Sequence, residues 1–218
     1  MGVSNNFSSV VCLGAFNPAI LNADFLGKNC GYRFIGVPKE QITPVAAEVT
    51  DDKISIYVDF SKFQVFMKSA DDTQALSCIK LAHKYLTILP FTPVNAFGIN
   101  FNYSVPNVAT AVADMKFYEH VSAVGLALNE TVEILSATKA ERNKRPDLRM
   151  VELHLKSARN LKISIHMESA ADQFTVNFNF EADSLSKDKS RLNEILSSYA
   201  EICAERDGLM DSLLGYFK

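Results

Sequence analysis

Histidines are the side chains best able to move protons or hold a metal near neutral pH, and this chain has them at His83, His120, His154 and His166. His154 lies in Val151-Glu152-Leu153-His154-Leu155, and His166 in Leu161-Lys162-Ile163-Ser164-Ile165-His166-Met167. Apolar and polar residues alternate in both segments, which predicts two half-buried strands with both histidines on the polar face. A short connection around Ser157 to Asn160 lets Glu152 stand across from His166. Two imidazoles and a carboxylate have the chemistry of metal ligands and of acid–base groups. The strand register is free by two residues in the sequence, so no ligand spacing is fixed. A solvated polar face accounts for the same residues, and the expectation is a chain with no metal and no cofactor.

Asn-Phe-Asn occurs twice, with Asn100 and Asn102 in one copy and Asn177 and Asn179 in the other. On a strand each asparagine pair lies on the face opposite its phenylalanine. Such amides can line a ligand groove or bond a partner's backbone; they also serve as solvent-facing residues. Arg142, Lys144, Arg145 and Arg149 form the main basic cluster, with Lys139, Lys156 and Arg159 around it. A cluster of this kind can hold phosphates, although Glu141 and Asp147 dilute it. Pro146-Asp147 with Glu152 and Lys156 is too widely spaced for a nuclease triplet. The chain contains no G-x-x-x-x-G-K-[ST], G-x-G-x-x-G or G-x-S-x-G, so neither a phosphate cradle nor a nucleophile elbow is indicated.

The elements that must position these residues follow from composition and period. The 218 residues are 48% hydrophobic and 22% charged, which excludes disorder and fibrous repeats and allows a sizeable core. The net charge of −3 gives no overall electrostatic footprint for nucleic acid. Cys12, Cys30, Cys78 and Cys203 are scattered and are expected to be free and mostly buried. The first basic residue is Lys28, and no apolar run reaches the roughly 18–20 residues of a membrane span. The expected setting is cytoplasmic, with no membrane.

Val10 to Phe16 reads as a buried strand ended by Asn17-Pro18, with a short helix over Ala19 to Leu26. Tyr32 to Val37 reads as loop or edge strand, and Val45 to Val49 as a further strand. Ile54, Ile56, Val58 and Phe60 alternate with polar partners; after Ser61-Lys62 so do Phe63, Val65 and Met67, which predicts a hairpin. Leu76, Ile79, Ala82, Tyr85, Leu86 and Leu89 predict a helix behind Asp71-Asp72 and before Pro90. Thr92 to Tyr103 is another strand, Asn107 caps a helix over Val108 to Val121, and Gly125 to Leu135 fits strand or helix. Charged Lys139 to Arg149 reads as a linker, dividing an α+β half (1–138) from a β-β-β-α half (139–218). Phe174, Val176, Phe178 and Phe180 form the last strand. A long helix from about Lys187 carries the stripe Leu192, Ile195, Leu196, Tyr199, Ile202 and Cys203, with Gly208 as a weak point.

Lys53-Ile54-Ser55-Ile56 recurs as Lys162-Ile163-Ser164-Ile165, each inside the order strand, strand, strand, helix. The reading is an α+β fold, an antiparallel sheet covered by helices on one face, built from two β-β-β-α units. Phe16-Asn17-Pro18-Ala19-Ile20 and Thr92-Pro93-Val94-Asn95-Ala96-Phe97-Gly98-Ile99-Asn100 resemble segments of an uncharacterised bacterial protein family. That resemblance implies a prokaryotic or phage origin and carries no activity.

With no catalytic set to assemble, the expected function is a non-catalytic interaction or assembly subunit of a bacterial or phage-related system, with a protein partner or a second copy. Met210, Leu213, Leu214 and Phe217 extend the terminal stripe and are the expected interface, unless the same chain covers them. One alternative is a small-molecule-binding protein or hydrolase with its site at His154, His166, Asn177 and Asn179. Another is a nucleic-acid-associated protein using residues 139–159.

Overall fold

Burial follows the alternation of apolar and polar residues along the chain. The structure is a computed structural model describing residues 4–68, 72–106, 150–157, 161–170, 173–183 and 189–215. Its elements in order are β1 (Ser4–Gly14), a 3-10 turn (Pro18–Ile20), α1 (Ala23–Lys28), β2 (Lys39–Ile42), β3 (Ala46–Thr50), β4 (Ile54–Asp59) and β5 (Lys62–Met67). Then come α2 (Asp72–Ile88), β6 (Val94–Pro106), β7 (Met150–Lys156), β8 (Lys162–Ala170), β9 (Gln173–Asp183), α3 (Lys189–Ser197) and α4 (Tyr199–Leu214). The fold is α+β with a mostly antiparallel sheet. The helix expected over Val108 to Val121, the segment Gly125 to Leu135 and the linker Lys139 to Arg149 lie outside the described residues.

Contacts divide the chain into two compact, interleaved units. One takes residues 6–100 and 182–199; the other takes 1–5, 101–181 and 200–218. The chain passes between the units inside β1, β6 and β9 and again beside the break in the terminal helix. That break corrects the expected single long helix. It lies at Ser198 rather than Gly208. The Ser197 and Ser198 hydroxyls both donate to the Glu194 carbonyl, at 2.8 and 2.9 Å. Hydroxyls that engage a backbone carbonyl in this way compete with helix continuation.

In the first unit the strand order is β2-β3-β4-β5-β1-β6, and the pairs from β2 to β1 are antiparallel. Ala47, Val49, Ile54, Ile56, Val58, Phe63, Val65, Met67, Val10 and Cys12 are buried on one face. α2 packs there with Cys78, Ile79, Leu81, Ala82, Tyr85 and Leu86 buried, while Leu76 is 38% exposed and does not join the stripe expected for it. His83 Nε2 meets Asn193 Oδ1 at 2.6 Å and ties α2 to α3. The cysteines form no disulfide; Cys12 and Cys78 are buried, Cys30 and Cys203 partly so. Burial pushes the Cys78 thiol up to about 12 and Cys30 to about 11.

The second unit orders β6-β9-β8-β7, with β7–β8 and β8–β9 antiparallel. Phe101 meets Phe180 edge-on at 6.0 Å, and Tyr103 meets Phe178 likewise at 6.0 Å. α4 covers these rings with Ile202, Leu209, Met210, Leu213 and Leu214 buried. Arg206, 3% exposed, stands among them, its guanidinium 4.6 Å from the Phe101 ring and 2.8 Å from Asp207. Both Lys-Ile-Ser-Ile copies fall at the start of a middle meander strand and place their isoleucines in a core: Ile54 and Ile56 in β4, Ile163 and Ile165 in β8.

The turn between β3 and β4 is built by Asp51, which is 5% exposed. Its carboxylate accepts the N–H groups of Lys53 (2.8 Å), Ile54 (2.9 Å) and Ile35 (3.0 Å) and the Tyr32 hydroxyl (2.9 Å). Burial alone would raise the Asp51 pKa; these donors outweigh it and hold the carboxyl below its usual range. A carboxylate with a depressed folded pKa stabilises the protein fully above the unfolded value, about 3.9, and loses that contribution as pH falls through the folded value. Asp51→Asn should therefore lower stability at pH 7 by about 1–3 kcal/mol. It should also flatten the loss on acidification below about pH 4. Denaturant unfolding of both proteins across that range checks this; equal acid slopes would contradict the assignment.

Candidate functional site

The face of the first unit opposite α2 is polar, and strand register sets its rows. Glu48, Tyr57, Gln64 and Val11 stand side by side across β3, β4, β5 and β1; Thr50, Ser55, Phe66 and Ser9 form the next row. Together with Lys62 and Lys68, the residues of these rows on β3, β4 and β5 line an open depression of about 520 Å³. Ser55 Oγ donates to Glu48 Oε1 at 2.5 Å. Lys62 Nζ sits 4.9 Å from the Tyr57 ring centre, a cation–π contact. Lys68 Nζ donates to the Asp51 carbonyl at 2.6 Å, and Asn100 Nδ2 to Ser9 Oγ at 3.4 Å. The packed surroundings of Tyr57, its hydrogen bond to Asp59 and the charges of Asp59 and Glu48 all push the phenol pKa upward. Tyr57 therefore presents a neutral hydroxyl. The arrangement is a fixed set of donors, acceptors and aromatic rings on a shallow surface, and it suits recognition.

Three neighbouring segments form a corner of this unit, and each exposes a large apolar side chain. Leu13, at the end of β1, is 47% exposed; Phe60, in the β4–β5 turn, is 58% exposed; Phe91, after α2, is 95% exposed. Backbone bonds hold the three segments together: Gly14 N–H to the Ser61 carbonyl (2.9 Å), Ala15 N–H to Pro93 (3.1 Å) and Phe16 N–H to Phe60 (3.1 Å). Leu13 is the register partner of Lys62, which lines the depression.

Phe60 corrects the expectation that it continues the β4 core stripe. The turn is Phe60-Ser61, one residue earlier than expected, because Asp59 caps it. The Asp59 carboxylate accepts Ser61 N–H (2.7 Å), Ser61 Oγ (2.8 Å) and Lys62 N–H (2.8 Å). Burial pushes the Asp59 pKa up; these donors, with the Tyr57 hydroxyl, together outweigh it and lower the pKa. Phe60 is thus displayed on a turn whose geometry does not depend on it. Asp followed two residues later by Ser is the signal that could have placed this turn. Phe91 is bracketed by Pro90 and Pro93, whose fixed φ limits the loop.

The residues singled out from sequence fall in several places. In the second unit the register sets Glu152 opposite His166 and His166 opposite Asn177, and His154 opposite Ser164 and Ser164 opposite Asn179. Ser164, Asn177 and Asn179 alternate with buried Ile163, Ile165, Val176 and Phe178 and stand on the other face of their strands. Asn179 Nδ2 donates to Glu181, and its Oδ1 is buried without a hydrogen-bond partner among the described residues. The unit boundary falls between Asn100 and Phe101. Met210, Leu213 and Leu214 are 9%, 2% and 7% exposed: their own chain covers the stripe, the outcome set against an interface there. Phe217 and Arg142, Lys144, Arg145 and Arg149 lie outside the described residues.

No protein-family model matches the chain, and no curated protein is significantly similar to it. Among the described residues no helix is long and apolar enough to cross a membrane, and no three His, Cys, Asp or Glu side chains gather as a metal group.

Proposed function

We propose that the protein is a non-catalytic interaction module, a subunit that engages a protein partner through the outer face of the first unit. The observation that carries this reading is the apolar corner of Leu13, Phe60 and Phe91 beside a polar, hydrogen-bonding face. Protein interfaces join a few aromatic anchors to a polar rim in this way. Two aromatic rings displayed on turns fixed by Asp59 and by two prolines lose little entropy when they are covered. An open, shallow face suits a protein surface better than it suits a small molecule, which is usually enclosed on most sides. The two meander-plus-helix units are read as copies of one module, with the displayed corner a property of the first.

The double substitution Phe60→Ser, Phe91→Ser removes the anchors from positions that contribute no core contact. It should leave the unfolding midpoint within about 0.5 kcal/mol of the parent and weaken partner binding by at least about 100-fold, since hot-spot aromatics carry about 2 kcal/mol or more each. Quantitative recovery of the partner from the native host, parent against variant, reads the effect. Equal recovery by a folded variant would remove the apolar corner from the function.

A further inference from the structure

Lys62, Gln64, Phe66 and Lys68 follow one another along the outer face of β5 and just beyond its end, and all four line the open depression. At about 3.3 Å per residue, the two lysine positions stand about 20 Å apart along the strand. Tyr57 and Ser55 on β4 are the register partners of Gln64 and Phe66. Lys68 N–H donates to the Lys53 carbonyl at 2.8 Å. That bond extends the ladder by one pair and sets a further lysine, Lys53, beside Lys68. Hydrogen-bonding capacity here is unevenly spent. The Glu48 carboxylate accepts the Ser55 hydroxyl. The Asp59 carboxylate accepts from Ser61, from Lys62 N–H and from the Tyr57 hydroxyl. Asp51 is met by three N–H groups and the Tyr32 hydroxyl, and Asp52 Oδ2 lies toward Gly36. Of the three donors that an ammonium carries, Lys68 gives one to the Asp51 carbonyl, and Lys62 lies over the Tyr57 ring. Among the described residues neither lysine forms an ion pair. We propose that the depression binds an extended acidic segment of a protein partner, with one carboxylate at Lys62, another at Lys68 and an apolar side chain on Phe66 between them.

This rests on the reading of the outer face as an interface, and it names what that interface takes. Side chains of an extended segment alternate, so every second residue of the partner points at the face. Four such residues span the depression: the outer two carry the carboxylates, and the inner two lie over Gln64 and Phe66. A neutral ligand stacked on Tyr57 has to displace Lys62 from the ring. A carboxylate meets Lys62 where it stands. Charge pairs on an open face steer encounter and fix register more than they add affinity. The acidic contact is therefore weak alone and sensitive to salt, while the Phe60 and Phe91 rings supply the anchors.

The probe is the fluorescein-labelled peptide Glu-Thr-Val-Thr-Val-Thr-Glu, titrated with the intact chain and read by fluorescence anisotropy. The expected result is saturable binding that weakens as NaCl rises from about 50 mM to about 500 mM. Lys62→Glu and Lys68→Glu should each weaken it at least tenfold, and the counterpart peptide with lysines in place of its glutamates should not bind. Lys62→Met and Lys68→Met keep the length of the stem and remove the charge; they give a loss of the same sign should a reversal disturb folding. Phe60→Ser, Phe91→Ser should leave peptide binding unchanged, because neither ring lines the depression. An acidic peptide that binds no better than its lysine counterpart, or binding indifferent to the folded Lys62 and Lys68 variants, would overturn the proposal. Recovery of the native partner by the Phe60, Phe91 variant is a separate readout, so the interface reading and the acidic segment can fail independently.

Discussion

Phe63→Ala should lower the unfolding free energy by about 3–5 kcal/mol, the range for truncating a buried aromatic. Phe63 has no exposed surface. Its ring stacks on Tyr85 of α2, with centroids 4.3 Å apart and planes within 9°. It also meets Phe16, just beyond β1, at 6.1 Å, and Tyr85 in turn meets Phe25 of α1 edge-on at 5.9 Å. One side chain therefore joins β5, α2 and the segment after β1. Neighbours anchored on three elements cannot collapse into the space it leaves, so the cavity cost adds to the lost transfer energy. Urea unfolding with an unchanged m-value reads the difference directly. A loss below about 1 kcal/mol would show that the packing around Phe63 relaxes, against the 3–5 kcal/mol expected of a held cavity.

Gly14→Ala should be nearly as damaging, through a different cause. A Cβ at position 14 would fall well inside contact distance of the Pro93 carbonyl oxygen. The obstacle is backbone, so no rotamer change relieves it. That same carbonyl accepts the Ala15 N–H, and Gly14 itself donates to Ser61. Separating the strands to admit a methyl breaks both bonds. Overpacking alone costs about 1–3 kcal/mol, and each lost hydrogen bond adds about 0.5–1.5 kcal/mol. Gly208→Ala is the contrast: nothing lies within 4 Å of a Cβ there. On exposed α4 backbone the change should stabilise by about 0.5–1 kcal/mol. Thermal and urea unfolding of the two variants should move in opposite directions. Equal shifts would mean that the β1–Pro93 approach is looser than described.

Much of the sheet was legible because its cause is local. Ile54, Ile56 and Val58 alternate with polar residues, and so do Ile163 and Ile165; a period of two leaves one way to hide them. α2 was legible from its spacing, from acidic residues at its start and from Pro90 beyond its end. The division into units was not, since it depends on which strands pair across long separations and on the competition at Ser197 and Ser198. Arg206 broke the apolar stripe of α4 in sequence, yet it is buried over Phe101, a partner more than a hundred residues away. In sequence the terminal stripe through Leu213 reads as an interface, because the rings that α4 covers are also remote. The candidate face was the least visible part. Phe60 follows the core period of β4, and only the capping geometry of Asp59 turns it outward. Phe91 carries no periodic signal at all. For Glu152, His154 and His166 the residue types were legible, while their juxtaposition waited on the register of β7 and β8.

The most direct test of the central claim is site-specific photo-crosslinking in the native host. A photoreactive phenylalanine analogue replaces Phe91, and in a parallel strain it replaces Lys84, which is exposed on α2. The account predicts one discrete covalent adduct from position 91, none from position 84, and loss of the adduct when Phe60→Asp is added. Identical patterns from positions 91 and 84, or an adduct indifferent to Phe60→Asp, would contradict it.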